Sequence, residues 1–201
     1  MIYLVLAAET EGLAAQFDSG LSAMGLRRAD ALAQVLESLG IKWMFVCPAR
    51  RCLQTILPFR AQRIAKVGYI RTTVSNALYP AVQRAEDAAR PLYRDYQTLK
   101  EMKLDRSEID GDVPRAGETV TELGHRILRW FRYVWWPLYQ DSPVNCAIVC
   151  DRAVASLLVH HMISKGCVVQ ANDVIATFTP GAVYEFGRDG LGIGFKRQVP
   201  F

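Results

Sequence analysis

The chain has 201 residues, 51% of them hydrophobic and 22% charged, with a formal net charge of +4 from 24 basic and 20 acidic side chains. That hydrophobic share can bury a core in one domain of this size, which excludes a generally disordered chain. The apolar runs fall far short of the roughly 18 residues a bilayer span needs, and the mild positive balance does not argue for a nucleic-acid partner.

The first residues, MIYLVLAAETEG, are apolar but lack a basic lead, so they read as a first strand and not as a signal peptide. Ile2 to Leu6 has no polar alternation, as expected of a strand covered on both faces. Glu9 to Glu11 form a loop. From Ser22 to Leu39 the positions Leu21, Gly25, Ala29, Leu32, Leu36 and Leu39 recur at helical steps, with Ser22 as N-cap and Gly40 as the stop. Trp43 to Cys47 is a second apolar strand closed by Pro48. Arg50 to Ala65 reads as a helix interrupted near Pro58, and Lys66 to Val74 as a third strand.

Residues 78–116 are polar and punctuated by Pro80, Pro91, Gly111 and Pro114. They read as a cap-like excursion from the sheet, partly helical around Ala81 to Leu99. Thr119 with Glu122 makes a capping-box pattern opening a helix from Val120 to Trp136, which Pro137 ends. Cys146 to Cys150 is another apolar strand, followed by a helix from Val154 to Ile163. Val174 to Thr177, Ala182 to Phe186 and Gly192 to Phe195 supply short late strands. Strands alternating with helices imply an α/β three-layer sandwich with a mostly parallel central sheet, in a single domain over 1–201. Ligands in such folds sit outside the carboxyl ends of the strands, which directs attention to the segments after Leu6, Val46 and Val149.

The five cysteines are Cys47, Cys52, Cys146, Cys150 and Cys167. An odd count in apolar surroundings points to free thiols in a reducing, intracellular and cytoplasmic setting, and their spacing matches no metal-binding pattern. No cofactor and no metal are expected. Cys47 and Cys150 read as small packing residues, since no histidine stands near enough in sequence to activate either.

Six segments in order carry a resemblance. They are Leu4 to Glu11, Leu21 to Gly25 with Ala29 and Leu32, and Cys47-Pro48-Ala49-Arg50-Arg51-Cys52-Leu53-Gln54-Thr55. Gly117-Glu118-Thr119 with Arg126, Ala147 to Arg152, and Phe178 to Ala182 complete the set. Together they resemble the histidine phosphatase superfamily, the phosphoglycerate-mutase-like fold, over nearly the whole chain. Active members use one histidine as phosphoryl acceptor, a second histidine and two arginines around the phosphate oxygens, and an acidic proton donor. Imidazole supplies a lone pair at neutral pH, and the transferring phosphoryl group needs hydrogen-bonding and positive groups aimed at its oxygens.

Carried across residue by residue, that set is mostly absent. The nucleophile's position is Ala7, with Leu6 before it and Ala8 after it. The second histidine's position is Asp151, followed by Arg152. The acidic position falls on Tyr79, and Arg51 is retained. The three histidines are His125, His160 and His161, so none lies among the first 124 residues. Arg51 and Arg50 are candidate anion-binding residues, but a carboxylate at Asp151 repels phosphate unless paired. The expected pairing with Arg51 or Arg152 would fill the old anion hole. A magnesium site from Glu9, Glu118 and Asp151, with Asp151 as phosphoryl acceptor, is the weaker alternative.

In the stretch from Arg126 to Trp136, Ile127, Phe131 and Val134 are expected to face the core, with Trp130 or Leu138. Arg129, Arg132, Tyr133 and Trp136 should face solvent. Arginine and aromatics together suit a protein partner more than nucleic acid, unless the helix simply packs under the excursion. The expectation is a non-catalytic pseudophosphatase serving as a protein-binding module or subunit, partnered by another protein or by its own copies. The alternatives are residual or re-invented phosphoryl transfer, or a non-catalytic sensor of a phosphorylated small molecule. No membrane association is expected.

Overall fold

The computed structural model describes residues 1–11, 19–79, 109–110, 117–141, 144–163, 168–189 and 192–200. One seven-stranded sheet runs through it, in the order β4-β3-β2-β5-β1-β6-β7. The strands are β1 (Ile2–Leu6), β2 (Trp43–Val46), β3 (Arg71–Ser75), β4 (Ile109–Asp110), β5 (Cys146–Cys150), β6 (Val183–Asp189) and β7 (Gly192–Val199). The first five are mutually parallel, β6 runs antiparallel to β1, and β7 runs antiparallel to β6. β1, β2 and β5 are buried at every position, which is why their sequences show no alternation.

Helix α1 (Ala23–Ser38) packs on α2 (Arg50–Val67), both from crossovers that step from β1 towards β3. The chain then reverses direction across the sheet. Its later helices are α3 (Val120–Trp130), α4 (Trp136–Asp141), α5 (Arg152–Ile163) and α6 (Val168–Ala176), with α5 packed on α3 and α6. Right-handed crossovers of opposite direction place the two helix groups on opposite faces, giving three layers. The reversal leaves a crevice at the carboxyl ends of β2, β5 and β1.

Local signals explain the helix starts. Ser22 Oγ accepts from the Gly25 amide, and Gly40 follows α1 at φ +62°. Thr119 and Glu122 complete their capping box reciprocally.

Four expectations are corrected. α2 runs unbroken through Pro58; the helix loses one interior bond there but buries Cys52, Leu53, Thr55, Ile56 and Phe59 around it. That helix also extends to Val67, so β3 begins only at Arg71. Pro137 does not end the long helix. Residues Phe131–Trp135 form a π-helical turn in which the Trp136 amide donates to the Phe131 carbonyl, and Pro137 then sits in the first turn of α4, where a missing donor is tolerated. The apolar stretch Val174 to Thr177 is the end of α6 and not a strand. Its short run of apolar residues belongs to a helix that begins at Val168, and periodicity alone does not separate the two. The excursion at 78–116 lies almost wholly outside the described residues, as does Cys167.

Candidate functional site

The crevice holds a cavity of about 400 Å³. β1 and its loop contribute Leu6, Ala7, Ala8, Glu9 and Thr10; α2 gives Arg51; and the start of α5 gives Asp151, Arg152 and Ala153. Phe178, Thr179 and Pro180, before β6, close the far side, and Ser19 completes the rim. Six of the sequence-selected residues therefore converge: Leu6, Ala7, Ala8, Arg51, Asp151 and Arg152.

Backbone bonds hold this wall in place. The Ala7 amide donates to the Cys150 carbonyl at 3.1 Å, the Gly181 amide to the Ala7 carbonyl at 3.1 Å, and the Leu6 amide to the Ala182 carbonyl at 3.0 Å. α2 clamps the next residues from its own side. The Ala8 amide donates to Thr55 Oγ1 at 2.9 Å, and the Leu21 amide to Gln54 Oε1 at 2.8 Å. α1 meets the same loop so closely that a Cβ on Gly25 would lie 2.0 Å from the Glu9 carbonyl oxygen, which only glycine avoids. Glu9 also pairs with Arg28, which donates to the Pro180 carbonyl at 2.8 Å and so ties the β1 loop to the far side.

The floor is an ion pair. Arg51 Nε donates to Asp151 Oδ1 at 2.5 Å and Arg51 Nη2 to Oδ2 at 2.6 Å, a bidentate fork with both side chains about 15% exposed. Burial opposes the guanidinium's charge, but the Asp151 bonds and charge prevail and hold its pKa above the ordinary arginine value. Arg51 thus spends its fork on an internal carboxylate.

Two candidates stand elsewhere. Tyr79 does not line the cavity. Arg126 donates to the carbonyls of Asn76, Ala77 and Tyr79 while pairing with Glu118 at 2.6 Å, so the turn after β3 is anchored to α3 and the Tyr79 ring enters the core. That arrangement also overturns the magnesium alternative, since Glu118 is committed to Arg126 while only Glu9 and Asp151 reach the cavity. Arg50 is exposed beside Gly20 and does not line the cavity, because one residue along a helix turns the side chain about 100° from Arg51.

None of the three histidines lines the cavity. His161 lies in α5 against the Gly124 carbonyl, where burial holds its pKa below the ordinary value. Sequence spacing gave no sign of a further convergence. The sulfurs of Cys47 and Cys52 and an oxygen of Asp151 all lie within 4.8 Å of one another. Burial pushes the Cys52 and Cys150 thiols well above their ordinary values. The four described cysteines are free thiols.

On the α3–α4 rod, Arg129, Arg132 and Tyr133 are exposed as expected, Tyr133 by 76%. Trp136 is instead half-buried against Phe131, Trp135 and Tyr139. The π turn shifts the phase of the face: Trp135 becomes fully buried and Val134, expected in the core, is exposed, while of the alternatives Trp130 and Leu138 it is Trp130 that is buried. No described helix is long and apolar enough to cross a membrane.

The fold is shared with solved phosphatases. The α-ribazole phosphatase of Shigella flexneri superposes with TM-score 0.66 at 16% identity, covering 98% of this chain and 95% of that one. An Escherichia coli K-12 protein described as a putative α-ribazole-5′-P phosphatase gives 0.63 at 16% identity, covering 98% and 94%. A histidine-to-alanine mutant of the Entamoeba histolytica phosphoserine phosphatase, in complex with phosphoserine, gives 0.58 at 13% identity, covering 98% and 95%. No curated protein sequence matches significantly. Residues 2–166 match the sequence profile of the histidine phosphatase superfamily, branch 1, and the chain belongs to that family.

Proposed function

We propose that this chain is a non-catalytic member of its family, a pseudophosphatase that works by binding. The observation that carries the reading is the cavity floor: Ala7 stands at the end of β1, and Arg51 is engaged by Asp151 through both arms of its fork. Phosphoryl transfer to protein needs a nucleophile with an available lone pair and cationic groups pointed at the phosphate oxygens. Here the β1 terminus offers a methyl group, and the arginine's charge is cancelled within the protein.

The binding role falls to the outer face of the α3–α4 rod. Tyr133, Val134 and Leu138 are exposed beside Arg129 and Arg132, a mixture of aromatic, aliphatic and guanidinium groups that suits a protein partner. Two measurements test the reading. Phosphate release from p-nitrophenyl phosphate should be indistinguishable from buffer, and sustained turnover that disappears in Arg51→Ala would overturn it. The native mass of the chain in extract of its source cells should exceed that of a monomer and fall when Tyr133 and Arg132 are replaced.

A second reading has one observation behind it. The Entamoeba structure holds phosphoserine with a histidine replaced by alanine, so a fold of this type can retain a phosphate ester without that side chain. Under this reading the cavity senses a phosphorylated small molecule through Arg152 and the start of α5. A thermal shift with millimolar phosphate esters supports it, and none counts against it.

A further inference from the structure

We propose that Cys47, Cys52 and Asp151 form a binding site for a divalent metal ion of the zinc class. Their three donor atoms lie within 4.8 Å of one another although Cys47 follows β2, Cys52 lies in the first turn of α2 and Asp151 precedes α5. A tetrahedral zinc site with bonds of about 2.3 Å to sulfur sets its sulfurs roughly 3.8 Å apart. Closing the cluster on an ion therefore asks for side-chain shifts of about 1 Å at most.

The surroundings fit a thiolate pair. The Ala49 amide donates to Cys47 Sγ at 3.4 Å, a bond that strengthens when the sulfur is ionised. Ala49 caps α2 with no side-chain acceptor, and Cys52 lies in the first turn of that helix of eighteen residues, whose positive end favours a thiolate. Asp151 keeps its orientation through Arg51, whose fork uses one lone pair on each carboxylate oxygen and leaves another on each for a metal.

Charge balances in both states. Without metal, two protonated thiols, one carboxylate and one guanidinium sum to zero. Binding a divalent ion expels both thiol protons, and the sum is again zero. A buried site tolerates such an exchange, whereas it would resist an uncompensated charge. Three protein ligands leave a fourth position for water or for an anionic group from the cavity that Asp151 also lines.

The inference stands apart from the non-catalytic reading, since its readout is occupancy and not turnover. The full chain, reduced and metal-free, is titrated with Co²⁺ as a spectroscopic substitute for zinc. One equivalent should bind, giving thiolate-to-cobalt charge transfer in the near ultraviolet and the visible bands of tetrahedral cobalt. Zinc should displace it, and two protons should be released per ion. Cys52→Ala and Cys47→Ser should each lose the charge-transfer band with affinity reduced more than about 100-fold, beyond the usual effect of an outer-shell change. Cys146→Ala should keep both. Should a variant fail to fold, the unmodified chain still decides: zinc must raise the Tm of the reduced, metal-free chain. Absence of the band in the reduced chain, an undiminished band in Cys52→Ala, or a Tm that zinc leaves unchanged would each overturn the site.

Discussion

Replacing Asp151 by alanine removes one half of the cavity floor, and its effect can be worked from the geometry. Breaking a fully buried ion pair by deleting one partner costs about 3–5 kcal/mol, because the other charge is stranded. Here the two side chains keep 15% and 14% of their surface exposed and border the cavity of about 400 Å³, so solvent reaches the stranded guanidinium. About 2 kcal/mol remains after that relief. For a chain of this size that is a fall of roughly 4–8 °C in Tm. The same substitution hands the cavity a cation. Inorganic phosphate should then bind the variant and restore its stability, by about 2.7 kcal/mol at a hundred times its Kd. The unaltered chain should respond little. The assay is differential scanning calorimetry in phosphate-free buffer, with phosphate added at constant ionic strength. An unchanged Tm would show that the fork is energetically idle. A loss of stability that phosphate cannot repair, or an equal phosphate response in both proteins, would refute the idea that Asp151 blocks an anion site.

Three further outcomes follow from other parts of the molecule. Gly25→Ala sets a Cβ into the Glu9 carbonyl, and since both partners are backbone the cost should sit near the upper end of the overpacking range, about 3 kcal/mol by chemical denaturation. Thr55→Val strands the buried Ala8 amide and should cost about 2 kcal/mol, with faster hydrogen exchange confined to the loop after β1. Burial lowers the His161 pKa below 6.5, so the unfolded chain binds the extra proton first: stability is complete above 6.5 and declines as pH falls through the lowered folded value, a slope that His161→Gln should flatten in a pH series of melts.

The strands were legible because both of their faces are covered. Ile2–Leu6 and Cys146–Cys150 carry no polar residue to confuse the period. Ser22 and Thr119 announced their helices because capping is a local bond between residues three apart. The prolines misled for the opposite reason. Whether Pro58 breaks a helix depends on what its neighbours bury, and Pro137 is accommodated by a π turn that shares no pattern with it in sequence. Charge logic asked for an arginine beside Asp151, either Arg51 or Arg152, and the bidentate bonds select Arg51. The approach of Cys47 and Cys52 to Asp151 was not legible, because it depends on side-chain direction across about one hundred residues of chain. Tyr79 was lost to a similar cause: the three carbonyl contacts of Arg126 decide where that turn points.

The clamp that α2 places on the β1 loop has a consequence for how such a protein can change over time. Thr55 and Gln54 grip main-chain amides of Ala8 and Leu21, and a main-chain amide is supplied by every residue but proline. The cavity's outline is therefore indifferent to which side chains decorate it. Reactive groups can be exchanged one at a time, each step leaving the walls where they stood. A scaffold built this way can keep its shape while other occupants are tried within it.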